Sequence, residues 1–305
     1  MMREIHSLAE LPSFQRVACI INCGTRWVTS LALVSVLKRT NFPLLVIDCE
    51  SKDDSKWHLR ELSARYGLEF YWLEWPLRRH GLTLDVLFGE ISAENVLLVD
   101  SDVEIRDGHV VETISAALED DADAYGAGFL HEHTWMGRDH GLPDKIGWYT
   151  ERMWIPLVLL RTHVVRRALN DGVSFVQKRR YIEFLGRPWI SQWMAYRFWL
   201  PGIRHLRPRL QYRDREPVPA LIEYDTGAMM HEWLTRTGYR FVAVDPNLWG
   251  GVRHFHGVSR ARIPQPMRAL VMRLGLRRER NESRETDTIT EVQRQLSNVY
   301  GVNLP

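Results

Sequence analysis

Residues 95–102 read NVLLVDSD, an unbroken apolar run that ends in two aspartates. Such a run is typical of a strand that is buried on both faces of a parallel sheet. Asp100 and Asp102 are two residues apart at its end, so their carboxylates leave the strand on the same face. Two carboxylates there form half of an oxygen-rich site for Mg²⁺ or Mn²⁺. A turn would explain an isolated pair of this kind, but the apolar strand before it favours the metal site.

The segments before this strand repeat an alternation of strand and helix. The predicted strands are residues 16–23, 43–49, 69–75 and 95–99, and the predicted helices between them are residues 28–38, 57–66 and 82–91. Repeated β-α-β units predict an α/β fold, with a Rossmann-type, mostly parallel sheet and helices on both faces. The ligand crevice of such a sheet lies at the carboxyl ends of its strands. Polar clusters follow the first, second and fourth of these strands.

The composition of the 305-residue chain excludes several classes of protein. With 40 basic and 38 acidic side chains, the net charge of +2 excludes a nucleic-acid binder that works through a global basic field. The apolar fraction of 45% excludes extensive disorder. The three cysteines form no CxxC pair, which argues against a disulfide framework and a structural zinc site. The first residues lack the apolar core of a signal peptide, which predicts a cytoplasmic protein.

Two stretches resemble a known family. Residues 47–55 (IDCESKDDS) resemble the V-D-N-x-S-x-D-x-S stretch of the GT-A-fold glycosyltransferases, especially family 2. Residues 80–105 (HGLTLDVLFGEISAENVLLVDSDVEI) resemble the family's N-x-G-x-x-x-A-R-N…G-x-x-I-x-x-L-D-S-D-D stretch. The resemblance implies a GT-A-like fold and transfer of a sugar from a UDP- or GDP-sugar to a hydroxyl of a glycan, glycolipid or small molecule. It also implies a divalent cation, Mn²⁺ or Mg²⁺.

The same resemblance implies roles for residues at the strand ends. Asp48 would recognise the nucleotide base, with Glu50 on the same loop, and residues 23–25 would offer backbone contacts to the base or ribose. Asp100 would hold the ribose or the metal, and Asp102 would ligate the metal directly. The full set expected to bind the donor is Cys23, Gly24, Thr25, Asp48, Glu50, Arg79, Asp100 and Ser101.

The helix that follows Gly81 departs from the family pattern. It carries Asp85 and apolar neighbours where the family has an Arg-Asn pair. Contacts that the family makes from this helix must therefore come from elsewhere. The nearest candidates are Arg78, Arg79 and His80.

Residues 222–244 (IEYDTGAMMHEWLTRTGYRFVAV) match a later family pattern, in which an acidic pair opens a helix that ends in R-x-x-G-Y. Here the acids are Glu223 and Asp225, spaced by one residue instead of adjacent. An isolated aspartate at a helix start is ordinarily an N-cap. The resemblance implies instead a carboxylate that takes the proton of the acceptor hydroxyl, which would invert the anomeric centre. Asp225 is favoured as this catalytic base because it is closer to the helix, and Glu223 stays open.

A histidine pair follows one strand later, in residues 253–260 (RHFHGVSR). His254 and His256 alternate, so both can point the same way. Many metal-dependent members of the resembled family have a histidine ligand at about this point, and imidazole with carboxylates suits Mn²⁺. A hydrogen-bonded surface histidine is the commoner explanation of either residue. We predict metal ligation by this pair and prefer His256, because Gly257 beside it allows a close backbone approach.

Six of the 12 tryptophans fall between residues 135 and 199, where the acceptor side is expected. A tryptophan-rich helix is predicted at residues 188–200. Some of these rings must fill the core. Trp135 and Trp148 have polar and glycine neighbours, so they are the candidates for a platform that stacks on a sugar ring.

The last part of the chain is rich in arginine. Residues 267–280 have an apolar helical face surrounded by arginines. This helix either docks on anionic lipid as a peripheral membrane contact or packs on the enzyme itself, and the two readings are equally weighted. The expected organisation is a nucleotide-sugar-binding half (1–107), an acceptor-binding and catalytic half (108–262) and a basic helical tail (263–305).

Two other functions stay open. A sugar-phosphate nucleotidyltransferase has a sheet of this kind, and residues 23–26 (CGTR) faintly resemble its G-x-G-T-R loop, but Ile21-Asn22 supplies no glycine before it. A non-catalytic carbohydrate-binding protein would bind glycans without metal or nucleotide diphosphate. The acidic pair, the later acids and the histidine pair favour the glycosyltransferase.

Overall fold

A computed structural model describes residues 1–135, 147–181, 211–213, 216–218, 221–255 and 280–304. The strands are β1 (Met2–Ile5), β2 (Arg16–Asn22), β3 (Leu44–Cys49), β4 (Phe70–Trp75), β5 (Asn95–Asp100), β6 (Val103–Ile105), β7 (Ala124–His131), β8 (Thr134–Trp135), β9 (Gly147–Tyr149), β10 (Arg152–Arg161), β11 (Lys178–Tyr181), β12 (Gln211–Arg213), β13 (Glu216–Val218), β14 (Leu221–Tyr224), β15 (Arg240–Ala243) and β16 (Val252–His254). The helices are α1 (Arg26–Arg39), α2 (Ser55–Tyr66), α3 (His80–Glu90), α4 (His109–Asp120), α5 (Thr162–Asn170), α6 (Ala228–Arg236) and α7 (Arg280–Tyr300). The helix predicted at 188–200 lies outside the described residues, as does the segment 267–279.

The main sheet of the described chain has eight strands in the order β1-β4-β3-β2-β5-β10-β7-β15. β2 pairs in parallel with both β3 and β5, as the repeated β-α-β pattern predicts. β10 runs antiparallel to β5 and to β7, and β15 is parallel to β7. The predicted α/β class with a mostly parallel sheet is therefore confirmed. The direction of β10 was open from the sequence, because a buried apolar strand has the same pattern in either direction.

Helices cover both faces of this sheet, each face over its own apolar cluster. Successive residues of β2 alternate between the clusters: Ala18 and Ile20 belong to one, and Val17 and Cys19 to the other. Helices α1, α2, α4 and α7 pack on the first cluster, and α3, α5 and α6 pack on the second. The strands between them are buried on both sides, which explains their near-continuous apolar sequence.

Helix α3 holds the segment 174–176 through two residues one turn apart. A Cβ atom on Gly81 would lie 2.6 Å from the Cα atom of Val176, so the backbones meet at this glycine. Asp85 accepts hydrogen bonds from the Phe175 N–H (2.8 Å) and the Ser174 hydroxyl (2.5 Å). The aspartate that breaks the family pattern thus has a structural role in this chain.

Gly81→Ala is expected to destabilise the fold by about 1–3 kcal/mol, because its methyl group would overlap backbone atoms that cannot move independently. Gly89 is the matched control in the same helix, since a Cβ atom there meets nothing within 4 Å. Gly89→Ala should be neutral or stabilise by up to about 1 kcal/mol through helix propensity. Urea unfolding measures both variants, and equal midpoints would contradict the close approach at Gly81.

A second sheet, in the order β11-β14-β9-β8, carries Glu223 on β14 and Trp148 on β9. The helical tail is confirmed for its last part: α7 packs on the first apolar cluster through Val292 and Leu296. Within the described parts of the chain, no helix combines the length and apolar character needed to cross a membrane.

Candidate functional site

The carboxyl ends of β2, β3 and β5 lie side by side at one edge of the main sheet. Asn22 is opposite Asp48 in the β2–β3 pair, and Ile21 is opposite Asp100 in the β2–β5 pair. The polar clusters that follow these strands therefore meet at one place, where ligands of such sheets bind.

Asp100, Asp102 and His254 form a group whose candidate ligand atoms lie within 4.8 Å of one another. The short strand β16 pairs antiparallel with β6, which places His254 opposite Val103. The Phe255 N–H also donates to the carbonyl oxygen of Asp102 (2.8 Å). This ladder brings the imidazole to the acidic pair, with His254 Nε2 at 3.1 Å from Asp102 Oδ1.

The donor set fits a divalent cation. Asp102 is only 5% exposed, and Asp100 lies close to it. Burial raises the pKa of Asp100 and the Asp102 charge adds to this, while His80 and His254 act in the opposite direction. A cation would offset this cost of placing two carboxylates together, and carboxylates with one imidazole suit Mn²⁺. His256, the histidine preferred from the sequence, lies outside the described residues. Within the described residues, His254 lies next to the acidic pair.

Asn22 connects the ends of three strands, although the sequence analysis assigned it no role. Its buried amide nitrogen donates to Asp48 Oδ1 (2.6 Å), and its Oδ1 accepts from the Thr25 N–H (3.2 Å) and the Thr29 hydroxyl (2.9 Å). The Thr25 hydroxyl is in turn 3.1 Å from the Ser101 hydroxyl, between the two aspartates. The signal in the sequence was a polar residue that ends an apolar strand.

The loop after β2 uses its backbone donors within the protein. Three consecutive N–H groups donate to side-chain oxygens: Gly24 N to Ser51 Oγ (2.5 Å), Thr25 N to Asn22 Oδ1 (3.2 Å) and Arg26 N to Asp53 Oδ2 (3.1 Å). A loop that cradles phosphates needs such N–H groups for its ligand. Of the backbone contacts expected from residues 23–25, those from the N–H groups of Gly24 and Thr25 are therefore already used within the protein, and the side chain of Cys23 is exposed.

Asp48 and Glu50 border a cavity of about 460 Å³ between the β3–α2 loop and the end of β4. Asp48 is nearly buried and accepts from the Ser51 hydroxyl (2.5 Å) and the Ser51 N–H (3.0 Å). Burial raises the pKa of Asp48, and these hydrogen bonds oppose the change. Glu50 is exposed with a left-handed φ of 51°. The cavity also contains Trp57 and Trp75, and its volume is in the range of small-molecule sites.

The three candidates before α3 occupy different positions. His80 Nε2 lies 3.9 Å from Asp100 Oδ1. The Arg78 guanidinium lies over the Trp75 ring (5.7 Å), and its Nη1 atom is buried with no hydrogen-bond partner among the described residues. Arg79 is exposed at the start of the helix. His80 is therefore the candidate that lies beside the acidic pair, whereas Arg78 lies beside Trp75, which borders the cavity.

Asp225 lies between β14 and α6. Its Oδ1 accepts from the Thr226 N–H (2.9 Å), and its Oδ2 is 3.5 Å from Arg152 Nε. The side chain is 41% exposed. Its charge contributes to the raised pKa of Asp100, so the two carboxylates are within electrostatic reach. Helix α6 begins at Ala228, directly after Gly227, whose φ of 82° lies in the left-handed region.

Glu223 and the two predicted stacking tryptophans have other surroundings. Glu223 is 3% exposed and accepts a hydrogen bond from Gln177. Trp148 is half-buried, opposite Ile222 on the neighbouring strand, and its ring stacks on His133 (5.9 Å). The side chain of Trp135 lies outside the described residues. Of the two acids, Asp225 is the one that a substrate can reach.

His131 and Trp249 border the same region, although their sequence surroundings indicated no role for either residue. Burial lowers the pKa of His131, and its Nε2 atom has no hydrogen-bond partner within the described parts of the chain. Trp249, 36% exposed, meets this imidazole edge-on (6.1 Å). Trp154 connects it to His254 (5.6 Å). A wall of rings thus runs from the metal group towards Asp225, formed by residues more than a hundred positions apart.

No family model and no curated protein matches the chain. A mannosyltransferase from Pyrobaculum calidifontis, solved with GDP-Man and Mn²⁺, is similar at 14% identity and a TM-score of 0.39, over 52% of this chain and 47% of that one. S. aureus TarS, solved with UDP-GlcNAc, is similar at 17% identity and a TM-score of 0.37, over 53% of this chain and 49% of that one. A 4-diphosphocytidyl-2C-methyl-D-erythritol synthase from Anaerococcus prevotii is similar at 11% identity and a TM-score of 0.36, over 52% of this chain and 75% of that one. The chain spans about half the length of the first two proteins. At these identities and TM-scores, the similarity says nothing about the activity of this chain.

Proposed function

We propose that the chain is a glycosyltransferase that uses a divalent cation and a nucleotide diphosphate sugar to glycosylate a hydroxyl acceptor. One observation carries the proposal: Asp100, Asp102 and His254 meet at the carboxyl edge of the sheet, and the carboxylate of Asp225 is close enough for its charge to raise the pKa of Asp100. A cation group and a separate accessible carboxylate are the two parts that such a transfer needs.

The donor side of the proposed reaction consists of the strand ends. Asp102, Asp100 and His254 would hold the cation, Mn²⁺ or Mg²⁺, which stabilises negative charge on the diphosphate as the glycosidic bond breaks. Asp48 and Glu50 border the cavity next to this group, where the nucleotide base would bind. Arg78 offers a buried guanidinium nitrogen that is free to donate within the described chain.

The acceptor side consists of Asp225 and the rings near it. Asp225 takes the proton from the acceptor hydroxyl as its oxygen attacks the anomeric carbon. Arg152, 14% exposed, orients the carboxylate from its Oδ2 side. Attack from the face opposite the diphosphate inverts the anomeric centre. Trp249 supplies an exposed ring on which a sugar can stack, and Trp148 and Trp135 remain the further candidates.

The loop after β2 favours this reaction over nucleotidyl transfer. A nucleotidyltransferase must bind the triphosphate of its substrate, which the backbone N–H groups of a glycine-rich loop would do. Here the N–H groups of residues 24–26 are all occupied by side chains of the protein. Pyrophosphate release from a nucleoside triphosphate and a sugar phosphate would nevertheless be direct evidence for the other enzyme.

A thermal-shift panel of UDP-, GDP-, ADP- and dTDP-sugars, each with and without Mn²⁺, tests the proposal. We expect one donor to raise the melting temperature only when the cation is present, because a ligand that binds only the native state stabilises it. At a hundredfold excess over its Kd the gain is about 2.7 kcal/mol, which corresponds to a shift of a few degrees. The control is the same panel with EDTA. No response to any donor, or a response without metal, would contradict the proposal.

The tail connects to the metal group through α7. Arg253, next to His254, donates to Glu291 on α7 (2.5 Å). The hydroxyl of Tyr300 donates to Glu104 (3.2 Å), on the strand that follows the acidic pair. Lipid docking of the segment before α7, the three-part division of the chain and a cytoplasmic location remain predictions.

A further inference from the structure

A chain of hydrogen bonds is buried behind the site and takes no part in the proposed reaction. The hydroxyl of Tyr125, on β7, lies 2.5 Å from Nδ1 of His231, on α6. Nε2 of the same imidazole lies 3.0 Å from Oε1 of Glu151. Tyr125 is fully buried and His231 is 3% exposed. Glu151, at the outer end of this chain of hydrogen bonds, is 38% exposed. The buried tyrosine and histidine are costly to desolvate unless their hydrogen bonds are made.

The direction of these hydrogen bonds follows from their burial. Burial raises the pKa of Tyr125 well above its usual range, so its hydroxyl keeps the proton and donates to Nδ1. Burial also lowers the pKa of His231, although the bond to Glu151 opposes this, so the imidazole is neutral. Its hydrogen then lies on Nε2 and is donated to Glu151. One tautomer satisfies both partners.

Glu151 connects this chain of hydrogen bonds to the catalytic side of the site. It lies in the turn 149–152, where the Arg152 side chain contacts Asp225 (Nε to Oδ2, 3.5 Å). Within this segment, Arg152 Nη1 also donates to the carbonyl oxygen of Thr150 (3.2 Å). The turn therefore contacts α6 through Glu151, and it contacts Asp225, three residues before α6, through Arg152.

We infer that His231 is a positioning residue: it fixes Glu151, and thereby the turn that keeps Arg152 on the carboxylate of Asp225. His231 touches no reacting atom and acts only through the turn. The catalytic consequence rests on the proposed function, whereas the mechanical link between His231 and Arg152 does not.

Two variants of His231 distinguish between its hydrogen bond to Tyr125 and its hydrogen bond to Glu151. His231→Leu removes both, and we expect its kcat to fall about tenfold to a hundredfold, as for a misplaced catalytic group, with the donor KM unchanged. His231→Gln keeps a donor that reaches Glu151, so it should restore most of the kcat. Leu234→Ala is the matched control, because Leu234 is buried on the same helix without contacting the turn through a hydrogen bond. It should lower the melting temperature but leave kcat within about twofold of wild type at temperatures well below melting.

A double-mutant cycle tests whether His231 acts through Arg152. In the background of Arg152→Ala, His231→Leu should cause no further loss of kcat, because the contact that it protects is already gone. Equal losses in both backgrounds, or a loss in Leu234→Ala as large as in His231→Leu, would show a general effect on the helix and overturn the inference.

An NMR measurement keeps this result separate from the proposed function. The ¹⁵N–¹H signal of the Arg152 Nε–H group, assigned by its loss in Arg152→Ala, reports the contact with Asp225 without any substrate. It should shift in His231→Leu and stay in place in Leu234→Ala. An unchanged signal in His231→Leu overturns the inference whatever the activity. A shifted signal in a protein that responds to no nucleotide sugar supports the link and rejects the glycosyltransferase.

Discussion

Asp102→Asn is expected to abolish Mn²⁺-dependent binding of the donor and to lower transfer by about a thousandfold. The side chain is 5% exposed and lies 3.1 Å from His254, so its charge is central to the cation group. Asparagine keeps the shape and one oxygen but removes the charge that attracts the cation. A loss of about 4 kcal/mol in stabilisation of the leaving group corresponds to this factor.

The measurement pairs a Mn²⁺ titration, followed by the thermal shift with donor, with an assay of nucleoside diphosphate release. Asp107→Asn is the matched control, because Asp107 is exposed, follows the same pair of strands and accepts from the His109 N–H (3.0 Å), a bond that asparagine can keep. Asp107→Asn should retain both the Mn²⁺-dependent binding of the donor and the release of nucleoside diphosphate. If Asp102→Asn folds and still binds the donor with full dependence on Mn²⁺, the metal group is assigned wrongly.

Asp225→Asn has the second large effect: we expect transfer to fall by about 10²–10⁴, the usual contribution of a general base. Binding of the donor and Mn²⁺ should be unchanged, because Asp225 lies outside the cation group. Asparagine still accepts from the Thr226 N–H, so the start of α6 keeps its geometry. The thermal shift and the release of nucleoside diphosphate, measured on the same sample, separate binding from chemistry.

Glu223→Gln provides the comparison that decides between the two acids. Glu223 is buried against Gln177, so its loss should appear mainly as a lower melting temperature. A smaller kcat effect than that of Asp225→Asn is expected. The opposite order, with Asp225→Asn fully active and Glu223→Gln inactive, would transfer the role of the base to Glu223.

The α/β half of the chain was predictable because its signals are local. An apolar run long enough for a buried strand, followed by a polar cluster, identifies both the strand and the edge that its end occupies. β2, β3, β4 and β5 all occur within a few residues of the predicted bounds. The same locality explains why the acidic pair could be identified: Asp100 and Asp102 lie on one strand end, and no other element is needed to place them together.

The partners of these residues were not predictable, because they depend on pairings between distant segments. Either histidine of the 253–260 segment satisfied the pattern, and only the antiparallel pairing of β16 with β6 brings His254 to Asp102. In the sequence, Asn22 is only a polar residue at the end of a strand. Its hydrogen bond to Asp48 depends on the register of β2 with β3. In the sequence, His231 fits an ordinary helix pattern. Its hydrogen-bond partner, Tyr125, is 106 residues earlier, so only the fold brings the two together.

The sequence by itself determined the strand–helix alternation, the sheet edge at which the proposed site lies and the two carboxylates at that edge. These follow from hydrophobic periodicity within single elements, which a linear sequence carries directly. The tertiary structure alone brought His254 beside the acidic pair and showed which of the two later acids is accessible and which arginine contacts it. Those choices depend on the order and direction of strands such as β10, and a sequence pattern that is the same for both directions cannot specify them.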